Sequence, residues 1–318
     1  MIPMPTGPAT PTAPVDALRA VRALLHREFP GTEVTAVRHL DKGYTSKQWV
    51  ADTGEGRLLV KAPQREPSVA QLRRLTSAAR IAAAHGIPVV RYRRLLPHEP
   101  SLGGPLLIQE YEEGDAADEV WEGLDRGRRL TLLHDLGDLV GRLHAVKGPH
   151  YGDVAGGPTA PSLPEAVDAE VAALLPQADL TLIGDAEALR SAVRATVAGL
   201  DGTANVPVLT HGDLWLPNIL VRDGRISCVL DFEHAAWADR FRDFGKLDEH
   251  LFDAFPEGRG TFLAAYAAAC PLPGDWERRH ALGQLLHALA MHVYFRRWSP
   301  QWAPQYARQA GEWLLRNG

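Results

Sequence analysis

The sequence predicts an α+β fold in two lobes, a small antiparallel sheet lobe with one helix followed by a larger, mainly helical lobe. Three observations lead there. Residues 33–61 read as three short strands separated by Gly-containing breaks. One helical pattern follows Ser68, and beyond residue 113 the apolar residues recur mostly at helical spacing. A length of 318 residues agrees with about two lobes. The expected boundaries are a disordered leader over 1–14, a first lobe over 15–112 and a second over 113–318.

Each element has its own warrant. The leader is rich in Pro, Thr and Ala, a composition that does not build a core. Leu18, Val21, Leu24 and Leu25 then mark a helix over 15–29. The strands are EVTAVRHL, QWVADTGEG and RLLVK, with DKGYTSK between the first two. After Pro67, Ser68 is placed as an N-cap with Gln71 completing a capping box, and Val69, Leu72, Leu75 and Ala79 share one face. Gly86 and Pro88 stop that helix, and Leu106 to Ile108 form another short strand. In the second lobe, Leu132, Leu133, Leu136, Leu139, Val140 and Leu143 form a broad apolar stripe, and helices are expected over 163–175 and 276–297.

Composition excludes several roles. Hydrophobic content of 45% with 23% charged residues is that of a folded globular chain, so disorder is not the default. A net charge of -5 gives no basic footprint for nucleic acid or acidic lipid. No membrane span is expected, and two cysteines without a secretory leader pattern suggest a cytoplasmic protein with reduced thiols. Only five lysines occur among the 34 basic residues, so each lysine carries more information than usual.

The densest polar stretch is HGDLWLPNILVRDGRISCVLDFEH, residues 211–234. Leu220 and Val221 precede Asp223-Gly224, and Ile226, Cys228 and Leu230 alternate afterwards, so the stretch reads as a hairpin with a tight Asp-Gly turn. Such a hairpin brings Asp213 and Asn218, before its first strand, to the same edge as Asp231, after its second. Two carboxylates and a carboxamide suit Mg²⁺, a hard cation that shares its oxygen ligands with substrate phosphates. There is no Walker A or GxGxxG run.

The run from His211 through Asp213 to Asn218, followed by Asp231-Phe232-Glu233, resembles the HxDxxxxN and DxE/D signatures of the aminoglycoside phosphotransferase and choline kinase group, which shares the protein-kinase-like fold. The resemblance implies an ATP- or GTP-dependent kinase acting on a hydroxyl. It implies Asp213 as catalytic base and Asn218 and Asp231 as Mg²⁺ ligands. Lys61 resembles the strand-three lysine that meets the nucleotide phosphates. Gly43 to Ser46 lies where the nucleotide-covering loop belongs, with Ser46 a phosphate donor, although an ordinary hairpin turn would look the same. Glu110 and Glu112 sit at the hinge, where their main-chain groups face a purine edge. The family's helix glutamate, partner of that lysine, has no counterpart in the helix after Ser68; Glu66 lies just before it. A literal Asp243-Phe244-Gly245 lies 25 positions after Asn218 and is read as a decoy, with Asp243 capping or bracing the following helix. His144 is read as a packed helical histidine.

The acceptor is expected to be a small-molecule alcohol, most plausibly an antibiotic in resistance or self-protection. Trp298 and Trp302, in an interhelical loop, read equally as core or as part of the acceptor pocket. Residues 251–318 hold seven arginines against five acids, which favours a neutral or anionic acceptor such as a nucleoside-type antibiotic over a polycation. Aminoglycoside, choline and sugar-amine kinases remain alternatives within the class. Outside it stand a non-catalytic nucleotide-binding pseudokinase and a metal hydrolase with zinc on His211, Asp213, Asp231 and His234.

Overall fold

The computed structural model describes residues 15–41, 46–64 and 68–318. The leader, Gly43 to Thr45 and Glu66 lie outside the described residues. A five-stranded antiparallel sheet comes first: β1 (Val34–Leu40), β2 (Ser46–Thr53), β3 (Gly56–Pro63), β4 (Tyr92–Glu99) and β5 (Gly104–Glu110), in the order β1-β2-β3-β5-β4. Strand alternation explains both of its faces. Leu58, Val60 and Ala62 of β3 join Trp49, Leu106 and Ile108 against Leu24 and Leu25 of α1 (Val15–Glu28). On the opposite face Leu107 packs with Leu72 and Leu75 of α2 (Val69–Ala84). Lys61 stands opposite Leu107 in register and therefore emerges on the α2 side. Ser68 caps α2 as expected, accepting the Gln71 amide at 3.4 Å.

One strand escaped the sequence reading. β4, YRRLLPHE, carries two arginines, a proline and a histidine. It is an edge strand, where a missing amide hydrogen and polar side chains are tolerated, so it lacks the apolar alternation of its neighbours.

The remainder is mainly helical. It begins with β6 (Asp115–Ala116), α3 (Ala117–Trp121), α4 (Arg126–His144), β7 (Tyr151–Asp153), β8 (Thr159–Ala160), α5 (Leu163–Leu174), α6 (Leu180–Ile183) and α7 (Ala186–Ala198). It continues through β9 (Val208–Thr210), β10 (Ile219–Arg222), β11 (Arg225–Val229) and β12 (Ala236–Ala238). It ends with α8 (Phe244–Leu247), α9 (Gly258–Ala269), α10 (Trp276–Trp298) and α11 (Ala303–Asn317). The short strands make two small sheets, β11-β10-β6 and β8-β7-β12-β9. The expected hairpin is β10–β11, with Asp223 and Gly224 both at positive φ, 54° and 75°. Among the described residues no helix is long and apolar enough to cross a membrane.

α4 and α9 touch at backbone distance. A Cβ on Gly137 would lie 2.2 Å from the Phe262 carbonyl oxygen, and one on Gly141 would lie 2.7 Å from that of Tyr266. Two glycines one turn apart therefore set the helix separation, and α4 ends on His144, whose position the site uses. Gly137→Val should force the helices apart and cost about 1–3 kcal/mol by overpacking. Urea unfolding at unchanged slope should show the lower midpoint, and a midpoint equal to the wild type would mean that the helices separate freely.

Candidate active site

β9 runs directly into the motif at His211. Gly212 follows at φ +78°, with a hypothetical Cβ only 2.2 Å from the His234 carbonyl oxygen, so only glycine passes here. The loop is held from behind by Asp243, which is 2% exposed. One of its carboxylate oxygens accepts the His211 amide at 2.7 Å, and the other accepts the Gly212 amide at 2.6 Å. His144 Nε2 lies 3.1 Å from the same carboxylate, and His144 Nδ1 lies 3.0 Å from the Tyr266 hydroxyl. This corrects the expectation for Asp243. It gives α8 no side-chain cap bond and braces the preceding loop instead. Sequence spacing could not show that, because the brace reaches back 32 positions. His144 is the buried helical histidine expected, now with its two partners. Burial alone would raise the Asp243 carboxyl; the bond from His144 and the His211 amide outweigh it and hold it below its ordinary value.

Asp213 stands at the mouth of the loop. Asn218 donates its amide NH₂ to the Asp213 carbonyl at 2.9 Å and to Asp213 Oδ2 at 3.0 Å. Lys246, delivered by α8, forms an ion pair with Asp213 Oδ1. Its ammonium also sits 4.6 Å over the Trp215 ring, which meets His250 at 5.3 Å between centroids. Burial acts to raise the Asp213 carboxyl, and the Lys246 charge, with His234 and His211, outweighs it, so Asp213 lies below its ordinary value. Sequence reasoning missed Lys246, although it is one of only five lysines.

Asp231 follows β11 in the left-handed region, φ 56° and ψ 57°, a conformation that non-glycine residues hold only where their surroundings impose it. Its carboxylate pairs with Lys61. Burial would lower the Lys61 ammonium, but the charges of Asp231 and Glu233 outweigh it and raise it. Burial raises Glu233 itself. Lys61 thus has a partner without a helix glutamate. α2 offers Arg74 instead, whose guanidinium takes Asp153 of β7 at 2.8 and 3.0 Å.

The donor set fits a hard cation. The Asn218 NH₂ faces Asp213, so its amide oxygen points the other way and accepts no hydrogen bond among the described residues. Asn218 Oδ1 and the Asp231 carboxylate are the oxygens that would hold Mg²⁺. Among the described residues no group of three or more His, Cys, Asp or Glu could hold a metal ion. The zinc alternative does not fit. His211 Nε2 donates to the Leu230 carbonyl at 2.7 Å and Nδ1 accepts the Asp213 amide at 3.2 Å, so neither ring nitrogen is available.

Ser46 opens β2 opposite Pro63. At the hinge, the Glu110 amide donates to the Arg91 carbonyl at 2.9 Å, and the Tyr111 amide donates to that of Arg57 at 3.0 Å. Main-chain groups of Glu112 take part in none of the loop and turn hydrogen bonds among the described residues. Trp298 ends α10 at 37% exposure with the Arg297 guanidinium 4.7 Å over its ring. Trp302 lies at the start of α11, one turn before Tyr306. Tyr306 in turn hydrogen-bonds Glu249, which also meets His287 Nε2 at 3.1 Å. The structure therefore brings Trp215, rather than Trp298 or Trp302, into the cluster at Asp213. A separate cavity of about 290 Å³ lies between Tyr151, Leu163, Trp237, Arg279 and Leu286, on a different face of α10 from His280, Gln284 and His287.

A five-stranded sheet lobe followed by a mainly helical lobe makes this the protein-kinase-like α+β fold. The chain belongs to the phosphotransferase enzyme family (APH), whose profile matches residues 36–282. An aminoglycoside 3'-phosphotransferase from Escherichia coli is 35% identical over 65 residues, a stretch that covers 20% of this chain and 24% of that protein. Among solved structures, a thermostable mutant of aminoglycoside phosphotransferase APH(4)-Ia, in ternary complex with AMP-PNP and hygromycin B, superposes with a TM-score of 0.71 at 15% identity, covering 94% of this chain and 99% of that one. Macrolide 2'-phosphotransferase MphH from Brachybacterium faecium gives 0.59 at 21% identity, covering 93% and 97%. At such identities the two structures speak for the fold.

The brace on the loop generates a stability prediction. Asp243→Ala should cost about 3–5 kcal/mol at neutral pH, because it removes one partner of a buried polar network. A carboxyl held below its ordinary value stabilises the fold above the unfolded pKa, about 3.9, and that contribution is lost as pH falls. The gap between wild type and Asp243→Ala in denaturant midpoint should therefore be widest above pH 4 and narrow below it; a gap that widens with acid would contradict the assignment.

Proposed function

We propose that this protein transfers the γ-phosphoryl group of ATP or GTP, with Mg²⁺, to a hydroxyl of a small molecule. The observation that carries the reading is that Asp213, held by Asn218, and the Lys61–Asp231 pair all lie near enough to Glu233 to act on its carboxyl, in a member of a phosphotransferase family. Lys61 and Ser46 would meet the nucleotide phosphates, while main-chain groups at Glu110 and Glu112 face the base. The Glu112 main chain, outside the loop and turn hydrogen bonds, is the stronger candidate of the two.

Bound Mg²⁺, held through Asn218 and Asp231, supplies charge neutralisation on the phosphates. Asp213 orients the acceptor hydroxyl and takes its proton as the new O–P bond forms and the bond from the γ-phosphorus to the bridging oxygen breaks, leaving the nucleoside diphosphate. Asn218 and Lys246 fix the carboxylate's orientation for that step. The presence of Asp213, Asn218 and Asp231 together speaks against a non-catalytic pseudokinase.

For the acceptor we infer a neutral or anionic, partly aromatic molecule, an antibiotic of nucleoside type being the leading candidate. Two acids beyond Asp213, Glu249 and Asp248, already have partners. Glu249 serves Tyr306 and His287, and Asp248 serves His280 at 2.5 Å, Gln284 at 3.0 Å and Arg259 at 2.5 Å. Ammonium groups of an aminoglycoside, choline or a sugar amine would find few free carboxylates there and meet Lys246 instead. Trp298 and Trp302 remain candidates for the outer pocket wall.

Two outcomes are expected. Asp213→Asn should lower kcat by on the order of 10² to 10⁴ with nucleotide affinity kept, and Asp231→Ala should abolish the Mg²⁺ dependence of nucleotide binding. Steady-state kinetics and calorimetry of the purified variants test both, and near-normal turnover in Asp213→Asn would remove that residue from the mechanism. Across an acceptor panel read by mass spectrometry, nucleoside-type alcohols should be phosphorylated with higher kcat/KM than kanamycin-like polyamines, and Trp302→Ala should raise the acceptor KM more than the nucleotide KM. The reverse ranking of acceptors defeats the charge argument.

A further inference from the structure

Lys246 has a place in the site that the reaction scheme above uses only in part. It is one of five lysines in the chain, and its side chain is 17% exposed. Its ammonium is fixed from two directions, by Asp213 Oδ1 and by the face of Trp215 at 4.6 Å. An ammonium carries three donors, and Asp213 occupies one of them. Beside it, the indole N–H of Trp215 is buried without an acceptor among the described residues. Two donors with unused capacity therefore stand next to the carboxylate that meets the acceptor. An ordinary structural ion pair would account for the contact with Asp213, but not for a cation held off the surface at the mouth of a catalytic loop. On the nucleotide side of the cleft the corresponding cation, Lys61, is paired with Asp231.

We propose that Lys246 is a catalytic residue that contacts the phosphoryl group during transfer, reaching it from the acceptor side as Lys61 does from the nucleotide side. This rests on the phosphoryl-transfer reading given above. The moving group must travel from the phosphates near Lys61 to a hydroxyl at Asp213, so its equatorial oxygens come within the reach of a side chain that already touches that carboxylate. In a loose transition state those oxygens carry the spread negative charge, and a pre-placed cation in a half-buried site stabilises it without reorganising. Trp215 serves as the platform that keeps the ammonium at this height when the acceptor draws on Asp213.

The experiment needs no knowledge of the acceptor. Binding of ADP with Mg²⁺ is measured with and without aluminium fluoride, which mimics the phosphoryl in flight, for wild type, Lys246→Met, Lys246→Gln, Lys246→Arg and Asp213→Asn. ATP hydrolysis is followed in parallel. In the wild type, fluoride should tighten ADP binding by roughly 10²-fold or more. Lys246→Met and Lys246→Gln should bind ADP alone as the wild type does, which also shows that they are folded, yet lose most of the tightening and roughly 10²- to 10³-fold in kcat. Lys246→Arg, which keeps a cation, should recover much of both. If both neutral variants keep the tightening and the turnover while Asp213→Asn is impaired, the lysine's role is refuted and the phosphotransfer reading stands. If the wild type shows no tightening and Asp213→Asn turns over normally, both fall together.

Discussion

Everything in the site hangs on one buried carboxylate. Asp243 gathers the amides of His211 and Gly212 and a nitrogen of His144, so a backbone turn that only glycine can make is fixed to the end of α4. α4 is in turn pinned to α9 by glycines that allow backbone contact. The loop from His211 to Asn218 is therefore not a loosely held surface loop that happens to carry polar residues. It is bolted to the core of the helical lobe, and it presents Asp213 and Asn218 from a rigid base.

Around that base the charges are arranged as two cation–carboxylate pairs, Lys61 with Asp231 and Lys246 with Asp213. Each pair joins residues from separate elements, and in each the carboxylate belongs to the motif while the lysine comes from outside it. The carboxylates are thus neutralised internally, which keeps like charges from crowding one another.

Much of this was legible in the sequence, and the misses have physical causes. The hairpin at Asp223-Gly224, the cap at Ser68, the first-lobe strands up to Lys61 and the long helix after Trp276 all follow from local chemistry, and local chemistry is what a sequence displays. β4 was missed because an edge strand need not alternate. Asp243 was assigned to the wrong neighbour, and Lys246 was passed over, because both act across 31 to 33 positions, through a turn that brings α8 back beneath the loop it serves. The family resemblance gave the motif residues their expected roles but had no voice on partners that this chain supplies from elsewhere.

Arg74 lies on the helix where the family resemblance implies a glutamate for the lysine, and a base on that helix has a mechanical consequence. The guanidinium ties α2 to Asp153 of β7, a strand of the helical lobe, rather than to β3 beside it. Ala78 and Ala82 of the same helix are buried in the core of the helical lobe, so an ion pair and apolar packing hold α2 there together. Separating the two halves here would therefore expose apolar surface as well as break the Arg74–Asp153 pair.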